Sequence, residues 1–447
     1  LTAAQVRRIF WLGLVLASLA SPASGQGTSL QAEIDAGAAS LDEQVIAWRE
    51  DFHQHPELGN REFRTSGIIA KHLKRLGLEV RTQVAATGVV GVLHGSKPGP
   101  VVALRADMDA VPVTEEVNLP FRSTARTRYR GRDVGVMHAA GHDAHTAMLM
   151  AVAAVLVDLR ERLPGTLLFV FQPAGEGAPV GEKGGAKRML AEGVFDHPRP
   201  DYVLGLHVAP QLAAGKIAIR SGGVMASSDR LEIHVRGRQT SAAYPWLGVD
   251  PISVASRILL AVETIPGRQV DAGFPSVVSI GAIHGGVRRN IIPEEVELLG
   301  TIRTLEPKLR PALIRLVKTA ATGIAESAGA HAEVTIQAGD PITWNDPALT
   351  ERVRKSLVRV AGAGNVILGL PRTGSDDFAF FAKEVPGVYF GLGTRAPATP
   401  PEAAAPSYSP HFRIDESALQ LGVRALASAA LDLLTEPPQG LPSADSG

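Results

Sequence analysis

His142 and His145 stand three residues apart with Asp143 between them, in the run His138-Ala139-Ala140-Gly141-His142-Asp143-Ala144-His145. At a helix start this spacing puts both imidazoles on roughly one side and leaves a carboxylate to orient one of them, an arrangement common around bound metals. Glu176, in Phe171-Gln172-Pro173-Ala174-Gly175-Glu176-Gly177, and His207, in Gly205-Leu206-His207-Val208, each lie just beyond an apolar run that reads as a buried strand. His142, Glu176 and His207 would make a set of two imidazoles and one carboxylate with room for water, the stoichiometry of a catalytic zinc site. The plainer reading of His142 alone is a hydrogen-bonded surface histidine, and the strand context of Glu176 and His207 argues against it. Asp107 and Asp109, in Arg105-Ala106-Asp107-Met108-Asp109, close another apolar strand at the edge where sites form in open α/β sheets.

The elements that must position these groups follow from periodicity. Helical spacing runs from Leu41 to His53, with Leu41, Val45, Trp48 and Phe52 on one stripe, and from Arg64 to Leu76, stopped by Gly77. Strands are expected at 79–82, 89–94 and 101–106, then a helix over 146–159 and strands at 166–172 and 201–207. After Gly222-Gly223 the pattern changes to strand 229–236, helix 251–264, strands 276–284 and 295–304, helix 309–328 and strand 331–337. That β-α-β-β-α-β order is the signature of a ferredoxin-like unit. Returning α/β material follows, with helices over 346–361, 376–383 and 416–434 and a strand at 387–391. The expected organisation is a catalytic domain in two parts, 41–223 and 339–435, with a satellite domain inserted at 224–338. A Pro-, Gly- and Ser-rich tail, 436–447, has the composition of a disordered segment.

Bulk composition narrows the function classes. A chain of 447 residues exceeds the usual size of a single core, so two domains are the default. Lys plus Arg number 45 and Asp plus Glu 45, a balance that gives no electrostatic reason to expect nucleic acid or an anionic membrane as partner. Thirteen His and no Cys suit a nitrogen and oxygen metal site and exclude disulfides and thiolate ligands. Residues 1–25 read as a signal peptide: Arg7-Arg8 precede an apolar run from Ile9 to Ala20, followed by small residues around Ala23. Export to the periplasm or the exterior is therefore expected, with no stable membrane span after processing. No segment after residue 25 reads as long and apolar enough to cross a bilayer.

The chain resembles the amidohydrolase branch of the metallopeptidase family that contains aminoacylase, hippurate hydrolase, auxin-conjugate hydrolases and glutamate carboxypeptidase. The resemblance covers about 41 to 433. It is carried by Arg105 to Ala110, Met137 to His145, Gln172 to Gly177, Gly184-Gly185-Ala186, Gly205 to Val208, Asn290-Ile291-Ile292-Pro293, Gly300 to Thr304, Asp376-Asp377-Phe378 and Ser409-Pro410. It implies an α/β zinc-peptidase-like catalytic domain, with a mixed, mostly parallel sheet flanked by helices, and an inserted ferredoxin-like α+β satellite that closes over substrate and commonly mediates dimerisation. It also implies hydrolysis of the amide of N-acyl amino acids or short peptides by water activated at two metals, with a glutamate taking the proton. Asn290 and Arg303 would hold the substrate's carboxylate or carbonyl oxygen.

Several positions depart from that family. The bridging metal ligand falls at Ala140, the general-base glutamate at Gly175, the satellite histidine that holds substrate and oxyanion at Ser241, and the last metal-binding histidine at Tyr408; Asp376 stands where glutamate is usual. His142, Glu176 and His207 remain, with Asp107, Asp109, Asp143 and His145 as supporting groups. A two-metal cluster should be weak without Ala140 and Tyr408 as ligands, so one divalent metal, Zn or Mn, is the expected cofactor. Loss of a positioned base typically costs about 10²–10⁴-fold, and loss of an oxyanion donor roughly 10²–10³-fold. Glu182, Glu115 or Asp107 could replace the base, and His411 the lost ligand; the plainer reading of Glu182 and His411 is an exposed loop residue. Two functions are consistent with this pattern: an impaired metal-dependent amidohydrolase, or a non-catalytic pseudoenzyme that binds an N-acyl amino acid or peptide in the interdomain cleft.

Overall fold

The computed structural model describes residues 29–436, so the expected signal peptide and the tail beyond Glu436 lie outside the described residues. The largest element is an eight-stranded sheet in the order Glu79–Val84, Gly88–His94, Pro164–Gln172, Lys97–Asp107, Tyr202–Ala213, Gly387–Arg395, Ile217–Ile219 and Val366–Leu368. Its four central strands, from Pro164–Gln172 to Gly387–Arg395, run parallel, and antiparallel pairs flank them. Parallel strands need both faces covered, which is why they read as continuous apolar runs. Leu167, Phe169 and Phe171 face one core with Val102, Leu104 and Leu204, while Leu168 and Val170 face the other with Ala103 and Val203.

Helix His142–Asp158 packs beneath the sheet with Asp42–Gln54 and Leu419–Thr435 around it, and is therefore buried on nearly every side. It begins four residues earlier than periodicity indicated, because Gly141 takes φ +89° and turns the chain; a Cβ there would lie 2.3 Å from Val208 Cγ2. The loose stretch before Leu41 contains a further helix, Leu30–Ser40, capped by the Ser29 hydroxyl and burying Ile34 and Ala38. One expectation fails: Glu416–Thr435 is long and apolar enough to cross a membrane, but 72% of it is buried inside the protein, as a core helix.

Residues after Gly222 form a second, four-stranded antiparallel sheet in the order Ser276–Gly285, Glu295–Thr304, Asp229–Arg236 and His331–Ala338. Helices Pro251–Arg268 and Leu309–Ser327 cover one face, giving a separate core around Leu231, Ile233, Val235, Ile258 and Val317. The opposite face carries Glu232, His234 and Arg236 by alternation. The chain enters this unit through Gly222–Met225, which pairs with Thr343–Asn345 on the way back. Gly223 is required there, since a Cβ would lie 2.4 Å from the Leu305 carbonyl oxygen.

Candidate active site

Asp107 ends strand Lys97–Asp107 in register with Gln172, the end of the neighbouring parallel strand. Both are buried, and they share the Arg105 guanidinium: Nη1 donates to Asp107 Oδ2 at 2.8 Å and Nε to Gln172 Oε1 at 2.7 Å. Arg105 Nη2 reaches Asp377 at 2.9 Å and Asp376 at 3.3 Å, and the Tyr389 hydroxyl donates to Asp376 at 2.8 Å. Burial alone would raise the Asp107 carboxyl, but Arg105, then His142 and His145, hold it well below the usual range. Burial does push Asp377 up, to about 8.

This floor fixes the histidine tautomers. The Val208 amide donates to His145 Nε2 at 2.9 Å, so the His145 proton sits on Nδ1 and is given to Asp107 Oδ1 at 2.6 Å. Asp107, His142 and His145 bring ligand atoms within 4.8 Å of one another, yet His145 keeps no free lone pair and acts as an orienting group. His142 Nδ1 faces the Asp109 carbonyl at 2.8 Å and Asp109 Oδ1 at 3.1 Å, leaving Nε2 beside Asp107 Oδ2 at 3.5 Å and Glu176 Oε1 at 3.6 Å. Burial opposes charge on His142, but Asp107 and Asp109 outweigh it and raise the imidazole to about 10. His207 gives its Nδ1 proton to the Val208 carbonyl at 2.7 Å, which leaves Nε2 with the lone pair; burial lowers it to about 3. Its ring lies 6.0 Å from that of His142.

Glu176 is carried by the turn Ala174–Gly177, and its amide donates to Asp109 Oδ2 at 2.9 Å. Asp109 thus orients both His142 and Glu176. Burial pushes the Glu176 carboxyl up to about 7. The Tyr408 hydroxyl donates to both Glu176 oxygens, at 2.9 and 3.1 Å. Tyr408 holds φ +69°, and its amide donates to the Ala139 carbonyl at 2.8 Å. Burial, then the Glu176 carboxylate, raises its phenol far above the ordinary value, so it stays a proton donor. Ala140 is buried and has no donor atom. A Cβ at Gly175 would lie 3.3 Å from both Asp107 Cβ and Asp109 Oδ1, so any longer side chain starts in contact with the floor.

The structure thus brings His142, Glu176, Asp107, Asp109 and Tyr408 into one contact group, with His207 and His145 packed beside it. Among the described residues the ligand atoms that converge within 4.8 Å here are those of Asp107, His142 and His145, and the set His142, Glu176 and His207 is looser. Its donor types, two imidazoles whose Nδ1 atoms face backbone carbonyls and one carboxylate oriented by Asp109, are those a divalent cation takes. Asp143 does not orient either neighbouring histidine. It turns away to Arg49 Nε at 2.9 Å and His53 Nδ1 at 2.7 Å, because Asp109 and Asp107 already serve His142 and His145. Burial would raise the Asp143 carboxyl, but Arg49 and His53 hold it far below its ordinary value. Glu115 accepts from the Ser123 amide at 2.7 Å and sits 3.3 Å from His53 Nε2, and Glu182 is held by Arg61 and by Asn60 Nδ2 at 3.0 Å. His411 is 62% exposed and faces Glu116 at 3.4 Å. Ser241 and Asn290 are exposed and adjacent, where Thr240–Ser241 pairs with Ile291–Ile292, and Arg303 donates to the Thr373 carbonyl at 3.2 Å.

Sequence reasoning missed the buried group of Arg49, His53 and His138 behind His142. Its signal was present: Arg49 and His53 are four apart and each follows a residue of the apolar stripe, Trp48 and Phe52. His207 also borders a cavity of about 470 Å³ whose walls include Met225, Leu368, Leu370, Arg220 and Tyr389.

Known proteins resemble this chain over most of its length. The family model described as Peptidase family M20/M25/M40 matches residues 103–432. Thermostable carboxypeptidase 1 of Saccharolobus solfataricus is 38% identical over 393 residues, covering 88% of this chain and 95% of that protein. N-acetyl-L-cysteine deacetylase of Bacillus subtilis is 34% identical over 381 residues, covering 85% and 86%. Among solved structures, the Bacillus subtilis YXEP protein, described as a dinuclear metal-binding peptidase of the M20 family, superposes with a TM-score of 0.75 at 31% identity, covering 89% of this chain and 99% of that one.

Proposed function

The chain belongs to peptidase family M20/M25/M40, with relatives named as a carboxypeptidase, a deacetylase and a dinuclear metal-binding peptidase, and we propose that it is an exported amidohydrolase of N-acyl amino acids or short peptides working with a single Zn or Mn ion. The observation that carries this reading is His142 Nε2 beside the Glu176 carboxylate, where a cation would replace the proton that Asp107 and Asp109 hold on the imidazole, with the His207 ring 6.0 Å away. The cation, when bound, would polarise the scissile carbonyl and acidify water. The chain's own part is to orient: Asp109 sets His142 and Glu176, the Val208 carbonyl sets His207, and Arg303 and Asn290 take the substrate carboxylate. The cavity beside His207 suits an apolar acyl or side chain, with Arg220 in its wall for an anionic group. With Gly175 in the base position, proton removal has no dedicated acceptor, so turnover is slow. The test is metal analysis of the purified protein with hydrolysis of an N-acyl amino acid panel under added Zn²⁺, Mn²⁺, Co²⁺ or Ni²⁺. No bound metal and no turnover would sink this reading.

A second reading, a binder without turnover, is favoured by the Tyr408 hydroxyl on both Glu176 oxygens, which competes with a cation for them. Calorimetry with N-acyl amino acids in chelator separates the two: tight metal-free binding supports the binder, and binding abolished by chelator supports the hydrolase. Homodimerisation through the satellite unit is supported by its unpaired edge strand Ser276–Gly285 and by Ile283 and Leu260, 50% and 65% exposed. Light scattering showing only monomer would refute it. Export rests on residues 1–25, and fractionation of cells producing the protein tests it.

A further inference from the structure

The uncovered face of the four-stranded satellite sheet carries a second constellation of metal-binding side chains, remote from the crevice. His234 projects from the central strand Asp229–Arg236, with Glu297 directly opposite it on Glu295–Thr304. His234 Nε2 lies 2.7 Å from Glu232 Oε1 and 3.8 Å from Glu297 Oε1, and the three ligand atoms lie within 4.8 Å of one another. The other nitrogen, Nδ1, lies 2.6 Å from Glu295 Oε1, and Arg236 Nε donates to the second oxygen of that carboxylate at 3.0 Å. Metal-bound histidines characteristically give their free N–H to a carboxylate that is itself anchored. Arg236, Glu295 and His234 form such a chain, ending at Nε2, which is hydrogen-bonded to Glu232 and would exchange that proton for a cation.

We propose that Glu232, His234 and Glu297 bind a divalent cation of the zinc type on the satellite sheet, with Glu295 fixing the imidazole. A tetrahedral zinc with bonds of roughly 2.0–2.2 Å needs ligand atoms about 3.4 Å apart. The distances of 2.7 and 3.8 Å bracket that separation, and Glu232 and Glu297 are about one-third exposed, free to adjust by the difference. Four carboxylates, Glu232, Glu295, Glu297 and Glu333, crowd around His234 and Arg236 on this face, so an added divalent charge offsets their repulsion. His284 stands opposite Glu297 in register on the edge strand, on the same face, where it can supply a fourth ligand in place of water. The site would tie adjacent strands together on the face that also bears Arg303, six residues along the same strand, roughly 20 Å away.

The experiment uses the full chain in a His207→Ala background, stripped with chelator and titrated with Zn²⁺ by calorimetry. One equivalent should bind, and His234→Ala or Glu297→Gln should each weaken it at least tenfold. Glu333→Gln, on the same face but outside the ligand set, should leave it unchanged. Glu297→Gln is close in shape and surface-placed, so it keeps the test decisive should His234→Ala fold poorly. Zinc affinity unaltered in a folded Glu297→Gln protein, or no zinc bound in the His207→Ala background, overturns the proposal. Any zinc that the crevice still takes through His142 and Glu176 is removed by adding His142→Ala, which should leave the satellite equivalent in place.

Discussion

On the floor of the crevice Arg105, Asp107, Gln172, His145 and Asp377 are buried and bonded to one another. On its rim Ala140 and Gly175 offer no ligand or base, and Tyr408 is 55% exposed at the end of a single hydroxyl contact. The two regions answer to different physics. Removing one member of a buried ionic network leaves the others uncompensated, so the floor persists for the sake of folding. An exposed rim residue such as Tyr408 can change at little cost in stability, and only chemistry suffers. A retained floor is therefore weak proof of turnover, and the rim is where activity is decided.

The largest expected effect reverses the rim. Ala140→Cys, Gly175→Glu, Ser241→His and Tyr408→His together should raise amidase activity by on the order of 10²–10³-fold or more, the scale of a base and an oxyanion donor. The gain should exceed the product of the single changes, because these groups act as a unit. Gly175→Glu alone should do little, since it adds a base without a well-held metal and begins in contact with Asp107 and Asp109. Steady-state hydrolysis of N-acyl amino acids by each variant is the measurement. A flat response in folded protein would mean that the floor too has been reshaped.

Next in size is a break in the floor. Arg105→Met leaves Asp107 and Asp377 buried without their cation, and should cost about 3–5 kcal/mol in urea unfolding. A loss under about 1 kcal/mol, the range of an exposed ion pair, would erase the distinction between floor and rim.

Much of this was legible in the sequence, for identifiable reasons. The parallel strands announced themselves as unbroken apolar runs; Asp107 ends its strand and Glu176 follows the next, whereas His207 lies inside Tyr202–Ala213, which continues past the expected end at 207. The satellite's alternation gave its strands nearly to the residue. Which partner each polar group takes was not legible. Asp143 adjoins His142 in sequence, but on a helix successive residues point in different directions, so it serves Arg49 and His53. Glu182 read as a spare base in a glycine-rich loop, and only the fold brings Arg61 against it. Tyr408 read as a lost ligand; its hydroxyl contact with Glu176 spans 232 residues of chain.

A smaller effect probes the layer behind the floor. His138 is buried, with no hydrogen-bond partner for either ring nitrogen among the described residues, and burial lowers it to about 3. In the unfolded chain it titrates near 6.5. Between those values the unfolded chain binds the extra proton, so His138 makes stability fall on acidification from about pH 6.5 toward 3, by about 1.4 kcal/mol per pH unit. Above pH 7 it contributes no slope. His138→Met should remove this part of the acid sensitivity, as read from urea midpoints at pH 4.5, 5.5 and 7.5. An unchanged slope would mean that the imidazole is charged when folded.

The smallest effect is the most discriminating. Tyr408→Phe removes one hydroxyl and keeps the ring, and the amide bond to the Ala139 carbonyl is untouched. The hydroxyl's hydrogen bond is to a carboxylate, but the residue is more than half exposed, so stability should change by no more than about 1 kcal/mol. Both Glu176 oxygens lose a competing donor. Affinity of the crevice for Zn²⁺ or Mn²⁺ should then rise severalfold, less than the tenfold that about 1.4 kcal/mol would give. This is best measured in a Glu297→Gln background, so that any satellite site does not contribute. The hydroxyl's contact with both Glu176 oxygens fixes the expected sign. If affinity falls instead, Tyr408 is itself a ligand, and the rim has been rebuilt around a different metal geometry.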